Sequence, residues 1–178
     1  MADSGILEKM KIASFTDDRF SKRSKDEAAR DFLVQINPAS YSHALEIFYH
    51  DGETAGSGRT PPDSHRVAAE VMKFELVFDG TGVIPGAAAE SDGITGQLDR
   101  LRRVLFDYES RSRSPKYLIL SWSTLHYACR LSSLNFHYTL FKPDGTPLRA
   151  RADVAFVAFN KDDNNASRQS SGLSHLVR

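Results

Sequence analysis

The sequence predicts a mainly β (α+β) fold: an antiparallel β-sandwich or barrel with one packed α-helix and a long C-terminal β-hairpin. Three observations support this prediction. Several segments alternate apolar and polar residues with the period of a strand, and a single segment has helical spacing. A Pro-Asp-Gly turn at 143–145 separates two long alternating segments. The length of 178 residues and the hydrophobic share of 40% suit one globular domain.

The first half of the chain is predicted to hold short strands separated by loops. Met10 and Ile12 share one face of the first strand, and Pro38 ends the second because proline cannot donate to a ladder. The charged segment 17–30 is expected to be a solvated excursion, and the Gly- and Pro-rich segment 51–64 a long exposed loop. The predicted strands in this half are 7–15, 32–36, 41–49 and 73–78.

One segment is predicted to be an α-helix. Its apolar residues recur at spacings of four, three and four, which places them on one face. Ser91 or Asp92 can cap its N-terminus, and the helix is expected to end near 108–110. The helix also carries Arg100, Arg102 and Arg103, which are expected on a solvated face or in a contact with another subunit. The apolar residues of the predicted helix are Ile94, Leu98, Leu101 and Leu105.

The C-terminal part is predicted to be β, and its hairpin is the best-specified element. Residues 117–122 form an almost continuous apolar run, typical of a central strand covered on both faces, and 126–131 form the next strand. A hairpin from Leu131 to Phe159 follows, because Pro143 fixes φ and Gly145 adopts conformations that other residues resist. Its apolar face comprises Leu134, Phe136, Tyr138, Leu140, Leu148, Ala150, Ala152, Val154, Phe156 and Ala158.

Composition limits the function classes. Lys plus Arg equals Asp plus Glu at 23 each, so no net charge favours a nucleic-acid partner. No apolar stretch approaches the roughly 18 residues that span a bilayer, and no secretory signal is visible, so synthesis in the cytoplasm without direct membrane insertion is expected. Residues 1–160 are expected to form the β domain, and the Asn-, Ser- and Arg-containing segment 161–178 a flexible polar tail.

No group of residues indicates catalysis, a cofactor or a metal site. The six histidines lack the i, i+4 spacing of a zinc protease, and His43 and His137 are expected at the surface of strands. Cys129, the single cysteine, lies in an apolar run and is expected to be a buried, inert thiol. The sequence therefore predicts a non-enzymatic protein. A ligand-binding β-sandwich and a small hydrolase stay open as alternatives, although no catalytic residue can be named for the latter.

Four segments, in order along the chain, resemble the contractile injection system tube-protein family. Residues 32–38 (FLVQINP) with Tyr41 resemble its opening strand, and residues 74–82 (FELVFDGTG) resemble a second strand. Residues 115–123 (PKYLILSWS) resemble a third strand, with Ser123 where glycine is common. Residues 138–150 (YTLFKPDGTPLRA) resemble the family's hairpin almost letter for letter.

The resemblance implies a phage-tail-tube-like fold and a structural role. Members are related to the inner-tube and baseplate components of contractile phage tails and phage-tail-like particles. It implies a homo-oligomer, a hexameric ring in which each subunit adds long strands to a barrel around a central channel. Such rings sit at the base of the tube, between the spike hub below and the inner-tube protein above, with baseplate or sheath components as further partners. The particle can be cytoplasmic, membrane-anchored or released.

The resemblance leaves two roles within the same machine. Many longer relatives carry a C-terminal peptidoglycan-binding LysM module, and residues 161–178 resemble no such module. This favours a ring-forming adaptor or tube initiator over a cell-wall or sheath-anchoring role. The alternative is the stacking inner-tube protein.

The hairpin also supplies the candidate assembly and channel-lining residues. A long hairpin with one apolar and one polar face invites uncontrolled pairing if its edge stays free, and closing strands of several subunits into one barrel removes the edges. Its polar face would then line a wet lumen. The candidate residues are Asn135, His137, Thr139, Lys142, Asp144, Gly145, Arg149, Arg151 and Asp153.

Overall fold

A computed structural model describes residues 8–49, 65–84, 93–106 and 115–159. Seven strands form one antiparallel sheet in the order β2-β1-β5-β6-β7-β4-β3, with one α-helix, so the predicted fold class is confirmed. The elements in chain order are β1 (Lys11–Phe15), a short 3-10 helix (Glu27–Ala29), β2 (Asp31–Leu33), β3 (Tyr41–Tyr49), β4 (His65–Asp79), α1 (Gly93–Leu105), β5 (Tyr117–Trp122), β6 (Leu125–Phe141) and β7 (Pro147–Ala158).

The predicted hairpin is present, but its first strand is longer than expected. The two predicted strands at 126–131 and beyond are one strand, β6, which pairs with β5 up to Arg130 and with β7 from Cys129 onward. A register shift between Leu131 and Ser133 moves the core-facing positions from odd to even residue numbers. This bulge breaks the period-2 pattern and explains why the sequence reads as two strands.

Several predicted bounds differ from the structure. β4 begins at His65, eight residues earlier than predicted, β2 ends at Leu33 rather than at Ile36, and α1 ends at Leu105. The predicted helix cap at 91–92, the predicted loop at 51–64 and the predicted tail at 161–178 lie outside the described residues.

One face of the sheet, here called the core face, is buried because the sheet curls around it. The rings of Phe32 in β2 and Phe78 in β4 lie 6.1 Å apart although these strands are not neighbours in the sheet. The Gln35 side-chain amide donates to the backbone O of Asp79 (2.7 Å), and its oxygen accepts from the Asp79 N–H (2.8 Å). One glutamine side chain therefore bridges the sheet where no strand ladder does.

The helix α1 closes the core. Its buried face is the predicted one, with Ile94, Leu98, Leu101 and Leu105 all buried. The buried Lys116 donates from its Nζ to the backbone O of Arg103 (2.7 Å), so a cation lies at the helix C-terminus. This contact fastens the helix to the start of β5.

The second face of β1 and β5 is covered in part by the segment predicted to be a solvated excursion. Phe20 adopts a positive φ of 54° and places its ring 5.6 Å from Phe15 and 5.8 Å from Phe159. Ala29 is buried as well. The prediction of a solvated segment at 17–30 was therefore wrong at Phe20 and Ala29. The prediction that β5 is covered on both faces holds fully for its core face only.

Candidate assembly surface

The candidate residues lie on a four-stranded part of the sheet that we call the plate. The plate consists of β6 from Leu131 to Phe141, then β7, β4 and β3. Asn135 pairs with Asp153 and His137 with Arg151, so these four candidate residues share one face, here called the polar face. Each of the four is exposed.

A histidine–carboxylate contact and an ion pair cross the strands of the polar face. His137 Nε2 lies 3.1 Å from Asp153 Oδ2, and Arg151 Nη1 lies 3.5 Å from Glu75 Oε2. All four side chains are about half exposed, so each pair contributes on the order of 0–1 kcal/mol. The pairs fix side-chain positions and balance charge across the strands more than they stabilise the fold.

Arg149 differs from the other candidates because its partner is buried. Its Nε donates to Asp79 Oδ2 at 2.7 Å, and Asp79 is only 4% exposed. Burial alone would raise the pKa of Asp79, but hydrogen bonds from Thr81 and Arg149, with the charge of Arg149, hold that pKa below its usual value. Arg149 therefore anchors the hairpin to the end of β4.

Three candidate residues form the hairpin turn at the tip of the plate. The Lys142 N–H donates to Thr146 O (2.8 Å), and the Gly145 N–H donates to Lys142 O (2.9 Å). Gly145 has a φ of +84°, which residues with a Cβ adopt only at a cost. The backbone N–H of Thr146 donates to Asp144 Oδ1 (2.9 Å) and lowers the pKa of that carboxyl.

Thr139 is not aligned with the other candidates as the sequence predicted. A register shift lies between Tyr138 and Leu140, so no strand partner stands opposite Thr139 in the ladder. The regular alternation of β6 therefore ends at Tyr138 in the structure.

The polar face also holds residues that sequence reasoning missed. An open groove of about 450 Å³ runs across all four strands of the plate, over the small side chain of Ala155. The missed residues share no motif with the hairpin, because they lie just before or on β3, on β4 or in the bulge of β6. These residues can be identified only once the order of the strands in the sheet is known. They are Ser40, Ser42, Lys73, Glu75 and Ser133.

Both outer edges of the plate are free of strand partners among the described residues. β5 pairs with β6 only as far as Arg130, so the outer side of 131–141 has no neighbouring strand there. β3 is the last strand at the other end of the sheet. Such edges present unpaired backbone N–H and C=O groups.

Exposed apolar side chains mark the same two edges. Leu45 on β3 is 66% exposed and Phe141 on β6 is 52% exposed. Seven large apolar residues are exposed among the described residues, and five of them lie on these strands: Tyr41, Leu45, Tyr138, Leu140 and Phe141. Clustered exposed apolar groups indicate contact surfaces.

The remaining chemistry of the described residues is sparse. No group of three or more His, Cys, Asp or Glu side chains there is placed to hold a metal ion. Cys129 is fully buried, and burial raises the pKa of its thiol, as expected for an unreactive cysteine. Within these ranges, no helix is long and apolar enough to cross a membrane.

Comparison with known proteins agrees with the resemblance in the sequence. Residues 6–167 match the family model described as contractile injection system tube protein, which covers most of the chain. No curated protein matches the chain.

Proposed function

This chain belongs to the contractile injection system tube protein family, and from that premise we propose that it forms a hexameric ring at the base of the inner tube. Family membership supports a structural, oligomeric role in a tail-like particle. In the proposal, the ring joins the spike hub to the first ring of the inner tube and templates tube growth. The protein would act by assembly and not by catalysis.

The plate is the observation that carries the proposal. Its core face is buried along β7 and along most of β4, its polar face carries no secondary-structure element among the described residues, and both of its edges lack strand partners there. A sheet of this kind is completed when copies of it close into a barrel, because closure removes edges and leaves one face towards a lumen. Asn135, His137, Arg151 and Asp153 would then line the channel.

The hairpin turn has a separate place in the proposal. Because β4 ends at Asp79, opposite Arg149, the hairpin projects beyond it to Lys142 and Gly145. The turn would lie at the rim of the ring, where the neighbouring ring or the hub makes contact. Lys142 and Asp144 offer one charge of each sign for that contact.

Negative-stain imaging of the purified chain, alone and with the hub protein, tests the proposal. We expect single rings with six-fold symmetry that appear or become more abundant with the hub. Long tubes formed by the chain alone would assign it instead as the stacking inner-tube protein. A chain that stays monomeric at high concentration and with both neighbours present would contradict the ring.

A further inference from the structure

One row of side chains on the polar face contains a single charge among small neighbours. Lys73 pairs with Ser42 on β3 and with Ala155 on β7, and Ala155 pairs with Ser133 on β6. Residues paired in this way project from the same face of the sheet, so the four side chains form a row across the plate. The groove of about 450 Å³ described above is lined by all four of them.

Lys73 differs from the charged residues of the next two rows because it lacks a partner. In those rows, Glu75 Oε2 lies 3.5 Å from Arg151 Nη1, and Asp153 Oδ2 lies 3.1 Å from His137 Nε2. Lys73 is exposed and forms no hydrogen bond or ion pair with any described residue. Its ammonium group is therefore an uncompensated positive charge in the groove.

We propose that the groove binds an extended segment of an acidic polypeptide, with one carboxylate of that segment on Lys73. A carboxylate pairs with an ammonium group and accepts hydrogen bonds from neighbouring hydroxyl groups. Ser42 supplies a hydroxyl beside Lys73, and Ser133 supplies another in the same row. The site belongs to the single chain, so it does not depend on the formation of a ring.

The dimensions of the groove fit a short stretch of extended polypeptide. Adjacent strands lie about 4.8 Å apart, so a groove that crosses four strands is about 14 Å long. An extended chain rises about 3.3 Å per residue, so about four residues span this length. Because Ala155 is small, the groove leaves room there for the backbone of the bound segment. A segment with small residues on either side of the acidic one matches this shape.

The carboxylates in the next row favour a polypeptide over a nucleic acid. Glu75 and Asp153 pair across β4 and β7, two residues along each strand from Lys73 and Ala155. Successive phosphates of a single strand would bring further negative charges close to these carboxylates, and like charges repel. A polypeptide can carry one carboxylate and present backbone N–H groups to Glu75 and Asp153.

Fluorescence anisotropy measures whether the full chain binds such a segment. The probe is the peptide Gly-Ser-Asp-Ser-Gly, with blocked termini and an uncharged fluorescent label. We expect the wild type to bind it and Lys73→Gln to bind it about fivefold more weakly, the upper range for loss of one exposed ion pair. Lys25→Gln is the matched control and should bind like the wild type. Lys25 is also exposed and without a partner among the described residues, but it lies before the 3-10 helix, outside the plate.

Chemical coupling locates the bound peptide on the chain. A water-soluble carbodiimide activates the peptide carboxylate, a nearby lysine amine forms an amide bond with it, and mass spectrometry identifies that lysine. Coupling at Lys73 should exceed coupling at Lys25. Ala155→Leu should reduce this excess several-fold, because a larger side chain fills the groove next to Lys73. A urea denaturation curve of Ala155→Leu verifies that the variant is folded.

Three outcomes would overturn the site. Equal binding by the wild type and Lys73→Gln would show that the lysine does not hold the peptide. Equal binding of a peptide with Asn in place of Asp would show that no carboxylate is recognised. A single-stranded oligothymidylate that displaces the probe at a lower concentration than the unlabelled peptide does would assign the groove to a nucleic acid.

Imaging of rings separates this site from the proposed function. Six-fold rings formed by a chain that does not bind the peptide would remove the site and leave the proposed function intact. Peptide binding at Lys73 by a chain that forms no rings would support the site and contradict the ring.

Discussion

The plate differs from the rest of the molecule, here called the body, in how completely its strands are paired and its second face is covered. In the body, β5 has a partner on each side, α1 closes the core, and Phe20 covers part of the second face. In the plate, the polar face carries no such cover among the described residues, and both edges lack strand partners there. The body has the features of a stable monomer, and the plate has the features of a surface that contacts another molecule.

This difference predicts whether a substitution affects the stability of the monomer or its assembly. A change in the body should lower the free energy of unfolding of the monomer and reduce assembly only as a consequence. A change in the plate should leave the monomer nearly intact and reduce assembly directly. Urea denaturation of dilute monomer and imaging of rings separate the two effects, and the predictions below run from the largest expected loss of monomer stability to the smallest.

Leu101→Ala should have the largest effect on the monomer. Leu101 is fully buried in α1, and truncation of such a leucine costs about 2–5 kcal/mol. Urea denaturation should show this loss, and rings should be lost with it. Leu45→Ala in the plate is the control and should stay within about 0.5 kcal/mol of the wild type, because Leu45 is largely exposed. Equal losses for both variants would abolish the distinction between body and plate.

Asp79→Asn tests the junction between body and plate. The substitution removes the charge that pairs with Arg149 at a buried site and should cost about 1–3 kcal/mol. The variant Glu75→Gln, which alters the exposed pair with Arg151, should cost less than about 1 kcal/mol. An Asp79→Asn variant as stable as Glu75→Gln would show that burial of the carboxylate is not what makes this pair important.

The same carboxylate predicts a pH dependence. Because the pKa of Asp79 is lowered in the folded state, its contribution to stability is present above the ordinary value of 3.8 and is lost as pH falls through the folded pKa. When the pH falls from neutral to below the folded pKa of Asp79, the free energy of unfolding should therefore drop more in the wild type than in Asp79→Asn. Parallel urea midpoints for the two proteins across this range would argue against the predicted ionisation.

Gly145→Val tests the hairpin turn at the tip of the plate. Valine disfavours the positive φ of Gly145, which should cost roughly 1–2 kcal/mol locally and derange the turn. We expect ring assembly to be abolished while the body stays folded. Gly145→Asn is the matched control and should retain rings, because asparagine tolerates this conformation. Particles with full-length tubes from the valine variant would contradict the prediction.

Charge reversal at the two hairpin arginines should separate them. Arg149→Glu would face the buried Asp79 and should lower monomer stability, whereas Arg151→Glu would face the exposed Glu75 and should change it by less than about 1 kcal/mol. If Arg151 lines the channel or contacts a neighbour, Arg151→Glu should still impair injection. The double variant Arg151→Glu with Glu75→Arg restores a pair of opposite charges. It should therefore recover any loss of stability or injection that comes from the like charges of Arg151→Glu alone. Unchanged injection by Arg151→Glu would place Arg151 away from both surfaces.

Much of the fold was predictable because local signals are strong in this chain. The Pro-Asp-Gly turn and its alternating flanks predict the hairpin without any tertiary information, and the spacing from Ile94 to Leu105 predicts the buried face of α1. The sequence also predicts that Cys129 is buried. Each of these features depends on residues that lie close together in the chain.

The sequence by itself determined the approximate course of the strands and of α1, the hairpin turn and the family resemblance. Only the tertiary structure decided the strand order, because antiparallel partners are chosen by contacts between distant segments. That order makes Glu75 the partner of Arg151 and Asp79 the partner of Arg149, and it separates an anchoring arginine from an exposed one. Among the described residues it also leaves β3 and the outer half of β6 as edges, since an edge is defined by the neighbour that a strand lacks.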